Sequence, residues 1–162
     1  MKIIKEIKLK IKKNEIKVGI VGLGYVGLPL AKGFVEKGVE TFGFDIDHAK
    51  ISKLTKGISY INYFSNQDIR LMNKKKFFPT SDFSIISKMD LIILCVPTPI
   101  KKNKSPDMYF INSSMRLIYP YLKNNQVLSL ESTTYPGTCE EVIVPMLKKK
   151  FNLGLNFFLI YS

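Results

Sequence analysis

The sequence predicts an α/β fold with a doubly wound, mainly parallel sheet. Short apolar runs rich in β-branched residues, typical of buried strands, lie at 17–21, 91–96 and 127–130. Segments with apolar residues at helical spacing, such as 26–35 and 107–122, separate these runs. Parallel strands need crossover connections of this kind, so the alternation predicts helices on both faces of a parallel sheet.

The first predicted strand is followed without a gap by a glycine-rich turn, GLGYVG at 22–27. In this context Gly22 allows a tight turn, Gly24 allows the backbone to approach a pyrophosphate, and Gly27 allows the next helix to lie close to the strand. The free N–H groups and the dipole at the start of that helix attract phosphate charge. Strand, glycine turn and helix in this order predict a Rossmann-type dinucleotide site.

A second predicted strand, 41–45, ends in a carboxylate, Asp45. Asp45 follows Gly22 by 23 residues, close to the roughly 20 that separate the glycine turn from a ribose-binding acid. The carboxylate would accept hydrogen bonds from the adenosine ribose and repel a 2′-phosphate, so we predict NAD rather than NADP. The alternative is a glycine turn in an α/β protein that binds no nucleotide, with Asp45 only capping the next helix.

The other elements are predicted from helix caps, proline positions and periodicity. An amphipathic lead-in helix lies within 1–16 and precedes the dinucleotide-binding domain at 17–162. Asp47 caps the helix after the second strand, and Gly57 ends it. The remaining predictions are a helix at 66–73, an edge strand at 77–80, a short helix from 81 or 82 to about 88, and a final strand at 156–160.

Two loops leave predicted strands at their carboxyl ends, where ligands bind in such sheets. After 91–96, Pro97 and Pro99 stop the strand and turn Thr98 toward the cleft, although this segment could also be only a rigid exit from the strand. After 127–130, a polar loop leads to a predicted capping box of Thr138 and Glu141. The helix that follows should reach about residue 150 and kink at its internal proline.

Composition limits the partners and the compartment. The chain has 25 Lys and Arg against 13 Asp and Glu, a formal net charge of +12. Nucleic acid is the obvious alternative partner, but the lysines are scattered and accompany no nucleic-acid module, so we predict a solvated surface. No apolar run reaches the ~18 residues of a bilayer span and the N-terminus lacks the features of a secretory signal, so we predict no membrane partner.

Cys95 and Cys139 form no disulfide framework, which favours a reducing cytoplasm. Cys95 should pack in the core, His48 should be exposed, and no metal site is predicted.

Four motifs in this order resemble the nucleotide-sugar 6-dehydrogenases, the UDP-glucose/GDP-mannose dehydrogenase family. They are GLGYVGLP at 22–29, GFD at 43–45, CVPTP at 95–99 and LESTTYPG at 130–137. The resemblance runs from about residue 17 to residue 162 and is closest to the UDP-N-acetylglucosamine or -galactosamine branch.

The resemblance implies an oxidation of the sugar C6 alcohol to a carboxylate with two NAD, through a thiohemiacetal on a cysteine. Thr133 resembles the threonine that contacts the cofactor and helps to orient the catalytic water. With the glycines, the full predicted cofactor-binding set is Gly22, Gly24, Tyr25, Val26, Gly27, Asp45, Lys50, Pro97, Thr98 and Thr133.

The family continues beyond Ser162 with a Ser-Pro-Glu-Arg loop, and its nucleophilic cysteine, oxyanion-stabilising residues and sugar pocket lie further on. We therefore expect a truncated chain that binds NAD without full catalysis. It would bind a UDP-sugar only with the missing half. For its assembly we expect a homo-oligomer or association with a complementary fragment. Cys139 stands where the family usually has threonine, and we interpret it as a neutral change. The alternatives are a non-catalytic nucleotide-binding module and a small standalone hydroxyacid-type dehydrogenase.

Overall fold

The computed structural model of the protein describes residues 2–100, 106–132 and 134–161. Its six strands are β1 Lys17–Val21, β2 Glu40–Phe44, β3 Phe77–Thr80, β4 Leu91–Leu94, β5 Gln126–Leu130 and β6 Phe157–Tyr161. They form one sheet in the order β3-β2-β1-β4-β5-β6, and every neighbouring pair is parallel. The predicted doubly wound parallel sheet is confirmed, and the order in which the strands are added reverses between β1 and β4.

Apart from α1, which precedes β1, the helices lie between the strands in the sequence. They are α1 Lys2–Lys12, α2 Gly27–Glu36, α3 His48–Thr55, α4 Asn66–Lys74, α5 Tyr109–Ile118 and α6 Val144–Leu147. Two 3₁₀ segments, Phe83–Lys88 and Tyr119–Tyr121, and a π-helical segment, Cys139–Ile143, complete the described elements. None of the described helices is long and apolar enough to cross a membrane.

Two apolar clusters cover the two faces of the sheet. Successive residues of a strand point to opposite faces, and the central strand β4 divides its side chains accordingly. Ile92 and Leu94 pack in one cluster with the buried residues of α5, whereas Ile93 and Cys95 pack in the other with those of α2 and α4. The predicted core position of Cys95 is confirmed, since it is only 8% exposed.

The lead-in helix α1 packs on the sheet through two isoleucines. Ile3 is buried and Ile7 packs against the cluster that contains α2. Asp90 links α1 to the start of β1, because its carboxylate accepts hydrogen bonds from the Lys10 ammonium and from the Lys17 backbone N–H.

Several element boundaries differ from those predicted. β4 ends at Leu94, two residues before the predicted end, although the Cys95 N–H still donates to the Val21 carbonyl at 2.8 Å. The predicted helix 107–122 is α5 followed by a 3₁₀ turn around Pro120. His48 begins α3 and is exposed, as predicted, and Asp47 is the N-cap of that helix.

The predicted capping box at Thr138 and Glu141 is wrong. Thr138 already has helical backbone angles (φ −53°, ψ −42°), whereas an N-cap needs extended backbone to turn its oxygen onto the first N–H groups. Its hydroxyl instead donates to the carbonyl of Tyr135, and the Glu141 carboxylate accepts from the Tyr135 hydroxyl at 2.8 Å. The helix starts with a π turn and becomes α-helical at Val144, directly before Pro145. The kink at Pro145 stays a prediction.

A capping box does occur elsewhere, at the start of α4. Ser65 and Asp68 each accept from the backbone N–H of the other. The Asp68 carboxylate also accepts from the Lys32 ammonium at 2.6 Å, which joins α4 to α2. The hydrogen bonds from Lys32 and Ser65 lower the pKa of Asp68 from 3.8 to about 2.

We expect Asp68→Asn to lower the free energy of unfolding by about 1 kcal/mol at pH 7, the scale of a helix cap or a partly exposed ion pair. Since the folded state lowers the pKa of Asp68, its stabilisation is complete above the ordinary value of 3.8 and is lost as the pH falls toward 2. Urea unfolding of both proteins at pH 7, 4 and 3 measures this difference. The control Glu36→Gln removes an exposed carboxylate that lies 3.8 Å from the same lysine and should change little. An Asp68→Asn difference of equal size at pH 7 and pH 3 would contradict the assignment.

Candidate dinucleotide-binding site

A cleft of about 400 Å³ opens at the carboxyl ends of β1, β2 and β4. This is the topological switch point of the sheet, where open α/β sheets bind ligands. The cleft is lined by seven of the predicted residues, namely Gly22, Gly24, Tyr25, Val26, Asp45, Lys50 and Pro97. Gly27 lies beneath the turn, Thr98 is half-buried outside the lining, and Thr133 lies outside the described residues.

Glycine occupies the three positions of the turn for different physical reasons. Gly22 has φ +94°, and a Cβ there would lie 2.6 Å from the carbonyl oxygen of Cys95. A Cβ on Gly27 would lie 1.9 Å from the carbonyl oxygen of Gly22. A Cβ on Gly24, by contrast, would meet no other atom of the described chain within 4 Å. Packing therefore demands glycine at Gly22 and Gly27, whereas Gly24 leaves room for a molecule in the cleft.

The turn presents backbone N–H groups that have no hydrogen-bond partner among the described residues. The amides of Gly24, Tyr25 and Val26 donate no hydrogen bond within the described residues, and no side chain caps the start of α2. Free N–H groups at a helix start, with the helix dipole behind them, form a site for an anionic group such as phosphate.

Asp45 lies beside this turn and is aimed at it. The residue is 7% exposed. Its Oδ2 accepts from the Leu23 N–H at 3.0 Å and lies 3.4 Å from the Lys50 ammonium, while its Oδ1 accepts from the Asp47 N–H at 3.0 Å. The interpretation in which Asp45 only caps the next helix is wrong, because Asp47 caps α3 by accepting from the N–H groups of Ala49 and Lys50.

Two tyrosines that sequence analysis did not single out contact the turn from the loop between α3 and α4. The Tyr60 hydroxyl donates to the Leu23 carbonyl, and the Tyr63 hydroxyl donates to the Tyr25 carbonyl at 2.8 Å. Burial, and then the charges of Asp45 and Asp47, raise the pKa of Tyr60, so its hydroxyl keeps its proton.

The predicted set also lacks the residues that form the far wall of the cleft. It consists of residues from the 3₁₀ segment and α5, namely Phe83, Phe110, Ser114 and Leu117. These residues lie in amphipathic or apolar segments whose pattern predicts a helix but does not say which strand end the helix covers.

The loops after β4 and β5 meet beside the cleft. The Ser132 hydroxyl donates to the Val96 carbonyl at 2.8 Å, and the Ser129 hydroxyl donates to the Glu131 carboxylate at 2.6 Å. Cys139 is buried and lines the same surface depression as Glu131 and Ser132. Burial, followed by the charge of Glu140, raises the pKa of its thiol. A buried, protonated thiol is a poor nucleophile, which agrees with the interpretation of Cys139 as a neutral change.

A larger and more open depression of about 1050 Å³ lies between residues 82–88 and 120–124. It contains none of the predicted site residues. One of its lysines, Lys150, is already engaged, because the ammonium donates to the carbonyls of Tyr119, Pro120 and Leu122 at a helix end.

The sequence profile of the NAD binding domain of the UDP-glucose/GDP-mannose dehydrogenase family matches residues 16–162. The chain belongs to this family. The predicted family, the Rossmann-type fold and the choice of NAD as cofactor are thereby confirmed.

Individual members of the UDP-glucose/GDP-mannose dehydrogenase family are similar over most of this chain. The UDP-N-acetyl-D-glucosamine 6-dehydrogenase of Pseudomonas aeruginosa is 37% identical over 151 residues, which are 92% of this chain and 35% of the relative. The UDP-N-acetyl-mannosamine dehydrogenase Cap5O of Staphylococcus aureus superposes with a TM-score of 0.81 at 29% identity, over 90% of this chain and 35% of that one. A ternary complex of GDP-mannose dehydrogenase from Pseudomonas aeruginosa superposes with a TM-score of 0.80 at 27% identity, over 88% of this chain and 34% of that one. The chain thus spans about a third of the length of the relatives that it matches.

Proposed function

We propose that this chain binds NAD in the cleft at the glycine turn and is the cofactor-binding part of a UDP-sugar 6-dehydrogenase. The observation that carries the proposal is the combination of free amides, the open space at Gly24 and the carboxylate of Asp45 at one strand edge. The substrate class, a UDP-N-acetylhexosamine, rests on the names of the most similar relatives and on the sequence motifs.

Each predicted residue then has a specific task. The N–H groups of Gly24, Tyr25 and Val26 would bind the diphosphate, and Gly24 gives it access to the backbone. Asp45 would accept hydrogen bonds from the adenosine ribose, with Lys50 held beside it. Pro97, Thr98 and Thr133 would line the nicotinamide side, where Thr133 orients water. When bound, NAD would accept a hydride, and these residues would hold and orient the cofactor.

The chain alone would bind NAD without completing the oxidation of a sugar. In this proposal the second part of the dehydrogenase supplies the nucleophilic cysteine and the sugar pocket. Association with a complementary fragment that carries these parts would bring a UDP-sugar to the cofactor, and a homo-oligomer is the other assembly that we propose.

Calorimetric titration of the purified chain with NAD and with NADP tests the proposal directly. We expect binding of NAD and much weaker binding of NADP. Asp45→Asn should weaken NAD binding by about tenfold, because the amide carries no charge and has only one acceptor oxygen where the carboxylate has two. The control Glu36→Gln removes an exposed carboxylate on α2 and should leave NAD affinity unchanged. Absence of heat and of any thermal shift at millimolar NAD would overturn the proposal.

A further inference from the structure

The glycine turn is held from outside the cleft by residues 58–65, here called the bracing segment. Two of its hydroxyls reach the turn: Tyr60 donates to the carbonyl of Leu23, and Tyr63 donates to the carbonyl of Tyr25 at 2.8 Å. The Tyr63 and Tyr25 rings also pack together, with centroids 6.0 Å apart.

These two hydrogen bonds determine where the neighbouring amides point. Every described peptide bond is trans, and in a trans peptide the C=O and the next residue's N–H point in opposite directions. When the Leu23 carbonyl faces the bracing segment, the N–H of Gly24 faces away from it. The Tyr25 carbonyl does the same for the N–H of Val26. Gly24 and Val26 both line the cleft, so the tyrosines turn these two amides toward it.

The Leu23 peptide groups are held from both sides. The Leu23 N–H donates to Asp45 at 3.0 Å, and the Leu23 carbonyl accepts from Tyr60. Tyr60 therefore completes a chain of contacts that runs from the ribose-binding carboxylate to the amides of the turn. The Lys50 ammonium, 5.9 Å from the centroid of the Tyr60 ring, packs over the same side chain.

The bracing segment is anchored to the rest of the fold by two buried side chains and a hydrogen bond. Ile61 and Phe64 are buried in the cluster that contains α2. The Ser59 N–H donates to the Asn66 side chain at 2.8 Å, which ties the segment to the start of α4.

We propose that Tyr60 and Tyr63 are positioning residues that keep the amides of Gly24 and Val26 in the orientation that binds a diphosphate. This inference rests on the proposed NAD site and adds the residues that preorganise it. Preorganised donors bind an anion more tightly because they need not be ordered when it arrives. The tyrosines act through the backbone of the turn and need no contact with the ligand.

The test separates diphosphate recognition from general stability. ADP and adenosine are titrated into the wild type, Tyr60→Phe, Tyr63→Phe and the double variant, by calorimetry for ADP and by NMR for adenosine. Phenylalanine retains the ring packing and removes only the hydroxyls. Each single variant should weaken ADP binding by about two- to fivefold and the double variant by about tenfold, the scale of one hydrogen bond each. Adenosine affinity should not change.

Tyr121→Phe is the matched control, because the Tyr121 hydroxyl makes no hydrogen bond within the described part of the chain and lies outside the cleft. It should bind ADP as the wild type does. Equal ADP affinity of the double variant and the wild type would overturn the inference, as would a parallel loss of ADP and adenosine binding. Tyr63→Phe keeps the test valid if Tyr60→Phe is unstable, since Tyr63 is largely exposed. A wild type that binds neither NAD nor ADP would overturn the proposed function itself, and this inference with it.

Discussion

Gly24→Ala is expected to weaken NAD binding by about a hundredfold, because the added methyl occupies the place where the diphosphate meets the backbone. Insertion of a methyl into a close contact costs about 1–3 kcal/mol, which corresponds to about 5- to 150-fold in affinity. The methyl meets no protein atom within 4 Å among the described residues, and Gly24 does not have a positive φ. The fold should therefore tolerate the change, and calorimetry with NAD measures its effect on binding alone.

Gly33→Ala is the matched control for this substitution. Gly33 lies in the interior of α2, is exposed, and would likewise place its Cβ in open space. It does not line the cleft. Alanine there should leave NAD affinity unchanged and raise the free energy of unfolding by about 0.5–1 kcal/mol, since glycine is a poor residue inside a helix. Equal NAD affinity of Gly24→Ala and Gly33→Ala would contradict the assignment of Gly24.

Gly27→Ala is expected to destabilise the fold by about 3 kcal/mol or more, the scale of a severe packing conflict. The new Cβ would lie 1.9 Å from the Gly22 carbonyl oxygen, a backbone atom. Gly22 is held in place, because its N–H donates to the Phe44 carbonyl at 2.8 Å. The start of α2 would have to leave β1, and the surfaces of α2 and the sheet would separate.

Urea unfolding followed by circular dichroism measures this loss. Gly33→Ala again serves as control, because it adds the same methyl to the same helix six residues later. An unfolding midpoint for Gly27→Ala equal to that of the wild type would show that the helix does not pack against the turn as described.

Local patterns predicted the parts of this structure that depend on local chemistry. The short apolar run of β1 is typical of a buried strand, and it forms one. Asp47 can cap α3 because its own backbone is extended. The same reasoning failed at Thr138, whose side chain suits a cap but whose backbone is already helical. A sequence pattern gives residue types, whereas a cap also requires a particular φ and ψ.

The bracing tyrosines could not be predicted for a different reason. Tyr60 and Tyr63 contact residues that precede them by 37 and 38 positions. Tyrosines in a loop rich in Tyr, Asn and Lys carry no period or motif that would reveal a contact across that distance. Only the packing of the loop against the sheet brings their hydroxyls to the glycine turn.

The two outer strands of the sheet differ in how their free sides are protected. β3 carries Pro79, which has no N–H and so interrupts any ladder along that side. β6, FFLIY, has neither proline nor charge, and its Ile160 and Tyr161 are 50% and 68% exposed. Unprotected strands of this kind recruit other strands by backbone pairing. Concentrated solutions of the isolated chain should therefore self-associate through β6, and a lysine introduced at Ile160 would act as a gatekeeper against aggregation.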